Sequence, residues 1–311
     1  MGRSRGFGAS DLIGPAGLAS LVAALVLTGE ACGLSNVPAA GSGSRVEVVA
    51  AENFWGSIAT QVGGDHANVT SLIANPDTDP HAYEATPADA RLIATARYVI
   101  FNGAGYDPWA PKLIDANPVA GRTVLTVADL LGKKEGDNPH MWYSPSYVDQ
   151  VVDRIASDLA KIDSANASYY LQQGASYRTV VLKEYHDTIN TIKQKYAGTK
   201  IGATESIVSY LADGLGLNLI TPYTYLKAIS EGTDPSAADK AEIENEIATR
   251  EIKVFVFNSQ NSTPDVLSLV DKARAHGIPV VTVTETLSPA NRTFQDWQTG
   301  QLKKLLAALG G

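Results

Sequence analysis

The chain has one cysteine, Cys32, so no disulfide can form within it. It lacks any cluster of lysines and arginines, and 25 basic against 33 acidic side chains give a formal charge of −8 and a pI near 5.1. Both facts argue against a nucleic-acid partner and favour a small cation. Its N-terminal apolar run, Leu18 to Leu27, is too short for a membrane span. There is no His-Glu-x-x-His pair, the helical signature of a zinc hydrolase. Proline is missing from Asn166 to Tyr196, and no residue-by-residue repeat relates the two halves.

With 311 residues, the chain is long enough for two domains of ordinary size. Arg3 and Arg5 ahead of the apolar run give residues 1–32 the outline of an export signal that ends at Cys32. Residues 33–44, rich in Gly, Ser and Pro, read as a flexible tether. From Arg45 onward, short β-branched runs alternate with helix-length pieces. The first set is 46–50, 69–74, 97–102 and 122–127, and the second is 199–204, 217–220, 252–257 and 278–284. Such alternation predicts parallel β-α units, because parallel neighbours need a crossover. The expected fold is α/β: two (β/α)4 lobes with parallel sheets, residues 45–163 and 198–311, joined by one long connecting α-helix over 164–197. Tyr169, Leu171, Tyr177, Val181, Tyr185, Ile189, Ile192 and Tyr196 recur there at mostly helical spacing, with Gly174 inside. At about 1.5 Å per residue, such a helix would run roughly 45 Å.

Two of the five histidines share a local design. His81 stands in Asn75-Pro-Asp-Thr-Asp-Pro-His81, between a strand and a helix start marked by Thr86, Pro87 and Asp89. His140 stands in Asn138-Pro-His140, just ahead of Ser144 and Pro145, a second helix start. Imidazole is the commonest nitrogen donor to transition metals, and rigid loops of this kind can hold its orientation. His66, His186 and His276 follow no strand end in a loop and read as structural. Ligands in parallel α/β sheets bind beyond the carboxyl ends of the strands, a rule that also picks out Glu205 and Glu285. Two nitrogens and two carboxylates suit a divalent transition metal and neutralise its charge. Glu205 has a bland alternative, an acid at a helix N-terminus.

The motifs Asp79-Pro-His-Ala-Tyr-Glu84 with Thr86-Pro-Ala-Asp89, Asn102-Gly-Ala-Gly-Tyr106, Asn138-Pro-His-Met-Trp142, Gly202-Ala-Thr-Glu-Ser206 and Asp234-Pro-Ser236 together carry a family resemblance. The chain resembles the zinc and manganese receptors, the metal-binding solute-binding proteins of ABC importers. That resemblance implies His81, His140, Glu205 and an acid at the place of Glu285 as ligands to Zn2+ or Mn2+. It also implies the long helix as a rigid connector and an ABC permease as partner. A glutamate where zinc receptors often have a third histidine, and only Lys133-Lys-Glu-Gly-Asp137 in place of a long His-rich loop, tilt the set toward manganese or iron without excluding zinc. Ala85 replaces a proline common in the family.

The segment ending at Cys32 resembles a bacterial lipoprotein signal, although Gly29 and Glu30 depart from its usual pattern. A monomer anchored on the outer face of the cell membrane through lipidated Cys32 is therefore expected, with plain secretion or a periplasmic location as the alternative. Two rival functions remain: a metal-dependent hydrolase, and a surface adhesin on the same fold.

Overall fold

The computed structural model describes residues 45–76, 78, 80 and 83–310. Cys32, the tether and His81 lie outside them. The first sheet contains β1 (Val46–Glu52), β2 (Ala67–Ile73), β3 (Tyr98–Phe101) and β4 (Thr123–Thr126), in the order β2-β1-β3-β4. The second contains β5 (Lys200–Ala203), β6 (Asn218–Leu219), β7 (Val254–Asn258) and β8 (Val280–Val283), in the order β6-β5-β7-β8. Every pairing is parallel. The two-residue β6 is the shortest of the expected strands, because it pairs with β5 only at Lys200↔Asn218 and Ile201↔Leu219.

Alternation along the strands divides the apolar residues between the two sheet faces. Val46, Val48 and Ala50 of β1, with Tyr98 and Ile100 of β3, belong to the main core. Val49 and Val99 face Ile93 and Ala96 on the other side, and Ala51 and Phe101 face Trp109 there. The main core is continuous through both halves, since Ile201, Phe255 and Leu302 belong to the same cluster as Trp55 and Ile155. Among the described residues, no helix is long and apolar enough to cross a membrane.

The long helical stretch departs from the expected single α-helix. It consists of a helix Ala167–Ser176, a π-helical turn Tyr177–Val181 and a helix Lys183–Tyr196. The Leu182 amide donates to the Tyr177 carbonyl at 2.8 Å, five residues back. The extra residue shifts the phase, so Leu182 is buried, Val181 only half-buried and Val180 68 % exposed. Leu171, also expected on the inner face, is exposed. Gly174 has a packing reason to be there: a Cβ on it would stand 2.6 Å from the Cβ of Ala156 in the neighbouring helix Pro145–Ile162. That contact outweighs the ~1 kcal/mol of helix propensity that glycine forgoes against alanine.

Both expected helix starts are present, by different means. Thr86 and Asp89 form a reciprocal capping box ahead of Pro87–Thr95. Ser144 occupies the N-cap of Pro145–Ile162 without a capping side-chain bond, its hydroxyl lying 3.3 Å from that of Ser146.

Candidate metal centre

A cleft of about 880 Å3 opens at the carboxyl ends of both sheets. Pro76, Thr78 and Pro80 line it after β2, Gly105 after β3, Asn138 and Pro139 after β4, Ser206 after β5, Ser259 to Asn261 after β7, and Glu285 after β8. Beside it, one donor atom each from the buried His140 and Glu205 and from the cleft-lining Glu285 lie within 4.8 Å of one another. Three of the four expected ligands are thus brought together from two sheets. His81 lies outside the described residues, although Pro80 beside it lines the cleft.

His140 is 1 % exposed and rests edge-on against Trp142, ring centroids 5.3 Å apart. The Asn138 amide oxygen sits 2.8 Å from its Nδ1 and also accepts its backbone N–H at 3.1 Å. An amide oxygen can only accept, so Nδ1 carries the hydrogen and Nε2 is the lone-pair donor, the tautomer a metal requires. The same Asn138 side chain donates to the Ser206 carbonyl at 2.8 Å, tying the His140 loop to the residue after Glu205.

Glu205 follows β5 at the N-cap of the short turn Ser206–Val208, yet its side chain makes no capping bond. Instead its two oxygens accept from the amides of Asn258, at 2.7 Å, and Asn261, at 2.9 Å. Glu205 thus stands at a helix N-terminus, as the bland alternative required, but its side chain is turned to the two asparagines and caps no backbone amide. Glu285 accepts from Asn258 at 3.0 Å and from the Tyr106 hydroxyl at 3.1 Å. Burial first, then the neighbouring Glu285 charge, push Glu205 up to about 8, against the pull of the two asparagines. Near neutral pH Glu205 therefore tends to retain a proton, which a cation bound at this place would displace. Burial, reinforced by the Glu285 and Glu52 carboxylates, raises Tyr106 and keeps it a neutral donor. Behind it, Glu52 is raised well above the usual carboxyl range by burial and by Asp107, itself pushed up to about 6.

The other histidines stand elsewhere. His66 packs against Tyr169, His186 Nε2 lies 3.3 Å from Asp149, and His276 Nδ1 lies 2.9 Å from the Lys272 carbonyl. The sequence carries no motif that marks Asn258 or Asn261, which hold the two acids. Tyr106 and Asn138 lie within the motifs Asn102–Tyr106 and Asn138–Trp142, but nothing local marks their partners.

Two parallel four-stranded sheets with a cleft at their carboxyl ends and a histidine and two glutamates gathered beside it define a bilobal metal-receptor architecture. Residues 48–308 match the family model for the periplasmic component A of the zinc-uptake complex, ZnuA, and the chain belongs to that family. It is 24 % identical over 303 residues to the high-affinity zinc uptake system protein ZnuA of Bacillus subtilis, covering 91 % of this chain and 92 % of that one. It is 23 % identical to the manganese-binding lipoprotein MntA of the same organism, covering 83 % and 85 %. The iron-binding protein YfeA of Yersinia pestis is 28 % identical, over 67 % and 68 %. Among solved structures, the manganese-bound periplasmic metal-binding protein of Candidatus Liberibacter asiaticus shares the fold, with a TM-score of 0.71, 22 % identity and coverage of 84 % and 98 %.

Proposed function

We propose that the protein is an extracytoplasmic solute-binding receptor that captures a divalent transition metal, zinc or manganese, between its two lobes and delivers it to the permease of an ABC importer. The observation that carries this reading is the convergence of donor atoms of His140, Glu205 and the cleft-lining Glu285 within 4.8 Å of one another. His81 supplies the fourth ligand in this proposal, from the loop that continues past the cleft-lining Pro80. Each ligand comes from a loop after a strand, so the ion is held by both sheets at once. The metal is cargo, and its release to the permease follows from separating those loops. Export places the receptor outside the cytoplasm, and lipidation at Cys32 holds it, as a monomer, on the outer face of the membrane.

Family membership supports a transport receptor over a hydrolase, and four protein ligands would fill the tetrahedral shell of zinc and leave no position there for an attacking water. The fold is shared with the laminin-binding adhesin Lmb of Streptococcus agalactiae, at a TM-score of 0.69 and 18 % identity. That level of identity speaks to the fold alone and does not favour adhesion. The test is the metal content of protein purified without added metal, followed by calorimetric titration of His140→Ala. Stoichiometric binding by the wild type and its loss in the variant are expected; unchanged affinity in His140→Ala would overturn the assignment.

A further inference from the structure

The order of the second sheet places β7 between β5 and β8. Glu205 follows β5 and Glu285 follows β8, so the last residue of β7, Asn258, sits between the two acids. It is 0 % exposed, and its amide nitrogen donates to both, at 2.7 Å to Glu205 and 3.0 Å to Glu285. The other side of the amide is occupied, since the Gln260 backbone N–H donates to Asn258 Oδ1 at 3.0 Å. The amide therefore cannot turn over to present its oxygen to the acids. The remaining oxygen of each acid is held too, that of Glu205 by Asn261 at 2.9 Å and that of Glu285 by Tyr106 at 3.1 Å. A carboxylate gripped at both oxygens has its plane fixed as well as its position.

We propose that Asn258 is a positioning residue that sets the separation and the planes of the two acidic ligands, and through them the preference of the site between ions. The inference rests on the receptor reading given above. A neutral amide suits this place. It satisfies both acids without cancelling the charge that attracts the cation, as a lysine would. The consequence differs between ions. Zinc accepts a tetrahedral set in which each carboxylate gives one oxygen, and a swinging carboxylate can still do that. Manganese takes more oxygen ligands, so it gains from carboxylates whose planes are already set to offer both atoms. Removing the Asn258 donors therefore weakens manganese more than zinc.

The experiment compares wild type with Asn258→Leu, nearly isosteric and without donors, by competition calorimetry with Mn2+ and Zn2+ in one buffer, alongside metal-free melting temperatures. The dissociation constant for Mn2+ is expected to rise about 100-fold and that for Zn2+ about tenfold, the range typical of residues that orient metal ligands, so the ratio moves about tenfold toward zinc. Should Asn258→Leu fail to fold, Asn258→Ser, which keeps a single donor, reads the same ratio with a smaller shift in the same direction. A purely structural role would lower both affinities together. An unchanged Mn2+ to Zn2+ ratio, with or without a general loss, overturns the inference and leaves the receptor reading standing. A wild type that takes up neither ion overturns the receptor reading itself.

Discussion

Glu205 is held by Asn258 and Asn261 and faces Glu285, so its contribution to metal choice can be separated from any structural one. A glutamate can bind through one oxygen or two, which allows the coordination number to rise above four, whereas a histidine offers one nitrogen and suits a tetrahedron. Glu205→His is expected to move the affinity ratio toward zinc by about tenfold, mainly by weakening manganese, when both ions are titrated in the same buffer. An unchanged ratio would mean that Glu205 does not set selectivity. At this scale, His140, Glu205 and Glu285, whose donor atoms the structure brings together, could be singled out because each follows a strand or precedes a marked helix start, which is local information; His81 was singled out in the same way but lies outside the described residues. Asn258 was not legible. Its role depends on β7 lying between β5 and β8, and strand order is not written in any short stretch of sequence. Asn138 was half legible, since its place two residues before His140 was visible while its bond to Ser206, 68 positions away, was not.

The helical stretch after Asn166 shows what periodicity can and cannot give. Its helical nature follows from the absence of proline and the recurrence of tyrosines, but the five-residue step from Tyr177 to Leu182 marks an inserted residue that averaging over the segment concealed. Deleting Val180, exposed within the π-turn, should restore a four-residue step and leave the inner face in phase. The variant is expected to melt within about 3 °C of wild type, whereas deleting the exposed Asn190 rotates Ile192 off the core and should lower the melting temperature by 10 °C or more, on the order expected from losing several core contacts. Equal damage from the two deletions would count against the phase argument. A second element, the helix Ala237–Ala248, carries the buried Glu246. One of its oxygens accepts from Thr221 at 2.8 Å and the other has no hydrogen-bond partner. Burial, opposed by Thr221, pushes its carboxyl up to about 7. The folded state thus binds a proton that the unfolded state has released, so stability from this group is full below about pH 4.5 and is lost as pH rises toward 7. Glu246→Gln should match wild type near pH 4.5 and exceed it by about 3 °C at pH 8 in metal-free thermal melts. A gain that is the same at both values would show that the carboxyl does not titrate in this window.

Across the whole molecule, the halves are fused more closely than two lobes joined by a strut would be. One apolar cluster includes Trp55 and Ile155 from the first half and Phe255 and Leu302 from the second. Polar ties cross as well: Tyr143 donates to the Thr284 carbonyl at 2.8 Å, the Leu287 amide donates to Asn53 at 3.1 Å, and Tyr106 reaches Glu285. A shared apolar core argues against independent motion of the halves. The metal-free protein should therefore unfold in one calorimetric transition, with the van't Hoff and calorimetric enthalpies in agreement, rather than in two steps. In the proposed site the metal is held only by the folded arrangement of loops from both halves, so it should raise that single transition, by about 4 kcal/mol in stability at a free metal concentration 1,000 times the dissociation constant. Because the acidic pair retains a proton near neutral pH, binding should also release protons, which buffers of different ionisation enthalpy would reveal as a difference in apparent binding heat. Two separate transitions, only one of them responsive to metal, would show instead that the ion is held within a single half, and the ligands contributed by the other sheet would then have to be reassigned.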